Sequence, residues 1–417
     1  MFEFGRDLRR LFEKARDSAD LGWLEVIGTS LVESEARQQS TTSGRVSCPH
    51  PHQACIRASL LWREHARRTG STESLRRAES EARSASRHAV GEEQIVRAAI
   101  ELSQALLLAF DLKGGLERLS QAEMLLKALP QPRRAGQADT IEGIQARLGA
   151  RRAVIDGLPE KIQLACDNLE KAASLSKGQQ GLSDIELRLE QASLSLEFGL
   201  LTRDLKRLDK VGRDLRLLVE EAPSEQRPLT RARALALCGM GMMALSALAN
   251  DKTAQTQATS LLSAAIDQFT MDHSPLDWAA IQLMRAETPE SLPLMTLVQV
   301  EALTEEQGLI LGAEARNRRL DLEIREFEKA KDLPSLRNLE ERIISRLRHM
   351  VADAPALDWV SNQIALAQIF LARVRLTGLH QTSVGLILIE AETTARELGA
   401  VNLAERARSL LPNPQPV

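Results

Sequence analysis

The sequence predicts an all-α fold: a right-handed α-solenoid of helix-turn-helix hairpins with an N-terminal helical cap. Three observations carry that expectation. Ala, Leu, Arg and Glu dominate the 417 residues, tyrosine is absent and aromatic residues make up 3%, a composition of strong helix formers with few of the residues that favour strands. Apolar residues recur at helical spacing between short breaks of Gly, Pro, Ser and Thr. One stretch is also written twice, Ser274-Pro-Leu-Asp-Trp-Ala-Ala-Ile-Gln282 and Pro355-Ala-Leu-Asp-Trp-Val-Ser-Asn-Gln363, which sets Trp278 and Trp359 81 residues apart.

The two copies punctuate helices for local reasons. Pro275 and Pro355 stand where a first helical turn tolerates proline, because the N–H it lacks has no intrahelical partner there. Asp277 and Asp358 place negative charge against the positive end of the helix dipole. Upstream, Leu262, Ile266, Phe269 and Asp272 align without gaps on Ile343, Leu347, Met350 and Asp353. Trp278 and Trp359 are therefore expected as structural wedges at matching joints, reaching back onto the preceding helix.

With Gln282 and Gln363, and small Ala286 and Ala367 four residues later, the stretch resembles the opening Leu-Asp-Trp-Ala-x-x-Gln of bacterial tetratricopeptide-like repeats. Such a unit is two antiparallel helices in about 34 residues, so the spacing of the copies fits two units with insertions. The resemblance covers roughly residues 250–290 and 340–400. The first copy departs from the pattern after Ala286, where Thr288-Pro289 and Pro293 cut the helix short. The resemblance implies a non-catalytic scaffold or adaptor that binds a protein or peptide in the groove formed by the first helix of each hairpin. The other reading is a regulatory sensor that binds a small ligand or peptide and controls a transcription or secretion partner. In the tetratricopeptide register Ser361 and Gln368 turn toward that groove and are the expected partner-binding residues.

Taken in order, residues 1–52 read as two helices and a loop, Phe4, Leu8, Leu11 and Phe12 lining the first and Arg6, Arg9 and Arg10 lying away from them. A polar break at Gln38–Gly44 follows. Hairpins are expected over 53–290, pairing 53–69 with 72–89, 92–111 with 115–129, 138–156 with 158–176, 182–200 with 202–221 and 229–249 with 252–271. Residues 291–411 read as a long helix interrupted near Gly308 and Gly312, a helix over 333–351, a last hairpin and a capping helix over 401–411; 412–417 read as a disordered tail. The start lacks the apolar run of a signal peptide. The uncharged stretch Ala234–Asn250 is just short for a membrane span and its small residues suit a helix buried between neighbours. A cytoplasmic protein without a membrane span is expected.

No glycine-rich phosphate loop, His-Glu-x-x-His, nucleophile elbow or dinucleotide fingerprint is present, so neither enzymatic activity nor a cofactor is expected. The formal charge of −3 and the scarcity of rings argue against a nucleic-acid partner. Cys48, His50, His52 and Cys55 are ligand types that zinc accepts. Pro49 and Pro51 stiffen so short a loop, and the expectation is a loop leading into a helix, without metal. Cys238-Gly-Met-Gly-Met-Met243 reads as a close helix contact filled by methionines. Arg316, Asn317, Arg318 and Arg319, with acids around them, read as a solvated helix face.

Overall fold

A computed structural model describes residues 21–176, 184–286, 293–304, 307–350, 356–378 and 383–411. The expected helix lined by Phe4 to Phe12 and the C-terminal tail lie outside them, as do Thr288, Pro289 and Pro355. The described residues form eighteen α-helices, one 3-10 turn at Leu21–Leu24 and no strand. The all-α expectation holds.

The chain divides into two compact units. The first holds Met1–Ala109 and Glu117–Thr288, the second Phe110–Leu116 and Pro289–Val417. In the first unit α1 (Thr29–Ser43) precedes the hairpins α2 (Pro51–Thr69) with α3 (Thr72–Arg87), α4 (Glu92–Lys113) with α5 (Leu116–Lys127), whose joint Phe110–Leu116 is assigned to the second unit, α6 (Ala135–Asp156) with α7 (Pro159–Ser176), α8 (Asp184–Thr202) with α9 (Leu205–Glu221) and α10 (Pro228–Ala249) with α11 (Lys252–Gln268). α12 (Pro275–Arg285) ends it. The second unit contains α13 (Pro293–Thr304), α14 (Ile310–Lys329), α15 (Leu333–His349), α16 (Ala356–Thr377), α17 (Val384–Leu398) and α18 (Val401–Leu410).

Local chemistry sets the joints. Asp204, Asp251 and Asp332 accept from backbone N–H groups of the first turns of α9, α11 and α15, which satisfies donors that a helix start leaves free. Gly157 ends α6 in the left-handed conformation, φ 66°, which a glycine adopts without steric penalty. One expectation changes. The polar run Gln38–Ser43 stays helical, because the Thr41, Thr42 and Ser43 hydroxyls bond back to carbonyls three or four residues earlier, an outlet such side chains have within a helix. The helix after Pro293 is interrupted near Gly308, as its sequence indicates: α13 and α14 flank that glycine at φ 60°.

The cores are leucine and alanine contacts between adjacent helices. Leu169, Leu187 and Phe198 join α7 to α8; Leu208, Leu215, Ala234 and Cys238 join α9 to α10. A Cβ on Gly239 would stand 2.9 Å from the Leu262 side chain, so the Cys238–Met243 run is a close α10–α11 contact, as its composition predicts. α10 is the one helix among the described residues long and apolar enough to cross a membrane. Here it packs on both α9 and α11. Half-buried Trp278 packs on Leu229, Leu262 and Phe269 of the first unit, and half-buried Trp359 packs in the core of the second.

Candidate functional site

The first helices of successive hairpins are laced together by arginine–carboxylate pairs. Arg63 of α2 donates to Glu101 of α4 at 2.9 Å. Arg147 and Arg151 of α6 both grip Glu190 of α8, at 2.7 and 2.9 Å. Arg233 of α10 meets Asp277 of α12 with both prongs, Nε to Oδ1 at 2.9 Å and Nη2 to Oδ2 at 2.5 Å. Paired geometry of this kind fixes both partners more firmly than a point charge would.

The row curls until its ends meet, since α2 packs directly on α12. Asp277 and Glu186 of α8 therefore both attract Arg67 of α2, and Arg233 attracts Glu64. Charged groups from α2, α6, α8, α10 and α12 thus converge on one concave face. Arg67, Arg147, Arg151, Glu190, Arg233 and Asp277 remain between 18% and 24% exposed, enclosed by helices yet still touching solvent. Beneath them Glu64 and Arg68 are fully buried, 2.5 Å apart. Burial pushes the Glu64 carboxyl up, but Arg67 and Arg68 outweigh it and hold the group well below the usual carboxylate range. Glu190 is likewise opposed by burial and held down by Arg147 and Arg151, at about 2. The Glu64 and Glu190 carboxylates stay ionised across the neutral range.

A strap closes the turn. The Glu25 carboxylate accepts from the Thr230 N–H at 2.8 Å and from the Thr230 hydroxyl. His273 Nε2 bonds to the Glu25 carbonyl, and the Thr29 hydroxyl donates to the Asp272 carbonyl at 2.8 Å. From the other side Arg68 donates to the carbonyls of Ile27 and Leu24, at 2.6 and 2.7 Å. The segment is thereby fastened to both the first and the last hairpins of its unit. Burial pushes the Glu25 carboxyl up, partly offset by Thr230 and by Arg233 and Arg67.

The second unit carries its own polar seam. Arg316 of α14, 2% exposed, lies between Glu301 of α13 at 2.7 Å and Asp358 of α16. Arg319 donates to both Glu301 and Glu323. The reading of Arg316–Arg319 as a solvated face is corrected for Arg316 and Asn317, which are buried; three acids surround the arginines closely enough to offset their desolvation. Asn317 Nδ2 and Gln368 Oε1 are enclosed without a hydrogen-bond partner among the described residues.

The residues singled out by sequence are placed as follows. Ser361 is fully buried and donates to the Ala313 carbonyl at 3.2 Å. Gln368, 4% exposed, donates to Asp321 at 2.7 Å. Both sit on a first helix, as the register implied, but face α14 and not open solvent. Cys48, His50, His52 and Cys55 are not drawn together: His52 bonds to the Ala85 carbonyl at 3.0 Å, His50 is exposed and Cys55 buried. Among the described residues no three His, Cys, Asp or Glu side chains are grouped to hold a metal ion. Sequence reasoning missed Arg67, Glu186, Glu190, Arg233 and the Glu25 strap. The available signal was an arginine on one first helix and a carboxylate on the next, 38 to 44 residues on.

No family model matches the chain, and no curated protein matches it. Among solved structures it is similar to a Rap protein complexed with competence and sporulation factor, with a TM-score of 0.50 and 11% identity over 90% of this chain and 96% of that one. A circular tandem repeat protein aligns over 97% of this chain and 93% of its own at 18% identity, but its TM-score of 0.22 carries no argument. The first likeness shows the fold, a helical-repeat architecture.

Proposed function

We propose that the chain is a non-catalytic scaffold or adaptor of the bacterial cytoplasm that binds a protein or peptide on the concave face of its first unit. The observation that carries this reading is the convergence of paired, still-hydrated arginines and carboxylates from five first helices on that face. Side chains already ordered by ion pairs lose little freedom when a ligand arrives, and extended concave surfaces are what stacked helical repeats offer a partner. The Rap protein of similar fold was determined with a factor bound, which agrees with a binding role.

A second reading, a regulatory sensor, is favoured by the strap. Its hydrogen bonds tie Glu25–Thr29 to α10, to the turn before α12 and to α2, so a ligand that altered the closed turn would be felt at the N-terminal segment.

The test is affinity capture from the native cell with the full chain as bait, against the variant Glu186→Arg. Glu186 is half-buried and makes no direct ion pair among the described residues, so its reversal changes the face and leaves the fold. A changed amount of the captured protein at an unchanged melting temperature is expected. Capture of the same partners in the same amounts would move the binding site elsewhere.

A further inference from the structure

We infer that the partner is an acidic peptide, one of whose carboxylates seats between the Arg67 and Arg233 guanidiniums across the closed turn. This rests on the reading of the concave face as the binding surface and adds the chemistry that it selects.

Three observations support the assignment. First, both guanidiniums are held in place from behind. Arg67 gives Nε and Nη2 to Glu64 at 2.8 and 2.7 Å, and Arg233 gives the same two nitrogens to Asp277. In each case Nη1, with its two N–H donors, has no partner among the described residues, while the side chain keeps 23% or 24% of its exposure. Guanidinium N–H groups only donate, so each Nη1 is open to an acceptor from solvent or from a ligand.

Second, the two arginines face a common space. Asp277, the partner of Arg233, also attracts Arg67, and Arg233 attracts Glu64, the partner of Arg67. Third, the carboxylates beside these arginines are already engaged. Glu64 is held by Arg67 and Arg68, Glu190 by Arg147 and Arg151, Asp277 by Arg233 and Glu25 by Thr230. A ligand carboxylate supplies the acceptor that the two Nη1 groups lack.

The experiment uses a degenerate pentapeptide pool synthesised in four arms: with or without Asp and Glu, and with a free or an amidated C-terminus. Retention by the full-length protein is read by equilibrium dialysis and mass spectrometry. Arms bearing a carboxylate are expected to be retained roughly 10- to 100-fold better than the neutral amidated arm, the range of a charge-assisted hydrogen bond worth ~1.5–3 kcal/mol. Comparison of the arms separates a side-chain from a C-terminal carboxylate. The double variant Arg67→Lys with Arg233→Lys keeps both charges and removes the Nη1 donors, and the preference is expected to fall at least several-fold.

Equal retention of all arms would overturn the carboxylate assignment and leave peptide binding standing. Retention of none would overturn both. Should the double variant not fold, a photoreactive residue placed beside the acidic position in the best-retained peptide decides the matter in the wild-type chain. Cross-links to α2 or α10 are expected, and cross-links confined to other helices would contradict the site.

Discussion

Arg233 and Asp277, 44 residues apart, close a two-pronged ion pair at the start of α12. Arg316 and Asp358, 42 residues apart, form an ion pair at the start of α16. These are the two aspartates of the duplicated Leu-Asp-Trp stretch. Each serves its own helix dipole and also anchors an arginine from the preceding first helix.

Removing one side of such a pair leaves the other charge buried. Arg316→Ala strands Glu301 and Asp358 together and is expected to destabilise the chain by about 3–5 kcal/mol, read as a lower urea midpoint with an unchanged slope. A loss under ~1 kcal/mol would show that solvent reaches the site freely.

The tryptophans that follow these aspartates are only half-buried. Trp278→Ala and Trp359→Ala are each expected to cost about 2–3 kcal/mol, below the ~3–5 of a fully enclosed ring. Thermal melts of both variants check this, and an unchanged melting temperature for either would remove its wedge role.

Acid should unfold the first unit through its depressed carboxylates. A group whose folded pKa lies below its unfolded value of about 4.3 contributes stability above that value and loses it as pH falls through the folded pKa. For Glu190 that window runs from about 4.3 down to about 2, and Glu64 and Asp277 act in the same direction. Glu25 has the opposite sign: its raised pKa gives stability at low pH that is lost as pH rises through the folded value. The melting temperature of Glu25→Gln minus that of wild type should therefore grow as pH rises above the unfolded carboxyl value of about 4.3. A flat or falling difference would contradict the strap's electrostatics.

Burial pushes the thiols of Cys55 and Cys238 up to about 11, which leaves little thiolate at pH 8. In the native chain Cys48, only half-buried, should alkylate fastest, with Cys55, Cys166 and Cys238 reacting only after denaturant. Elemental analysis of the same preparation should find no stoichiometric zinc. One zinc per chain, lost on replacing Cys48 and Cys55, would restore the metal site.

What was legible in the sequence was local. Turn residues such as Gly157 and Pro228 mark where a helix must stop or start whatever surrounds it, and the boundaries of α2 to α12 followed closely. The concave face was not legible, because arginine and glutamate are common throughout and only the curvature of the unit decides which of them meet. The sequence placed Ser361 and Gln368 on a helix but was silent on its neighbour α14, to which both side chains bond. The Glu25 strap has no periodicity at all; a carboxylate in a loop announces nothing until Thr230, 205 residues later, is brought beside it.

Hydrogen exchange of the full chain, with and without the captured partner, reads whether that partner lies on the inner face of the first unit. Added protection is expected in α2, α6, α8, α10 and α12, with α3, α7, α9 and α11 unchanged. Protection confined to those second helices would contradict that placement.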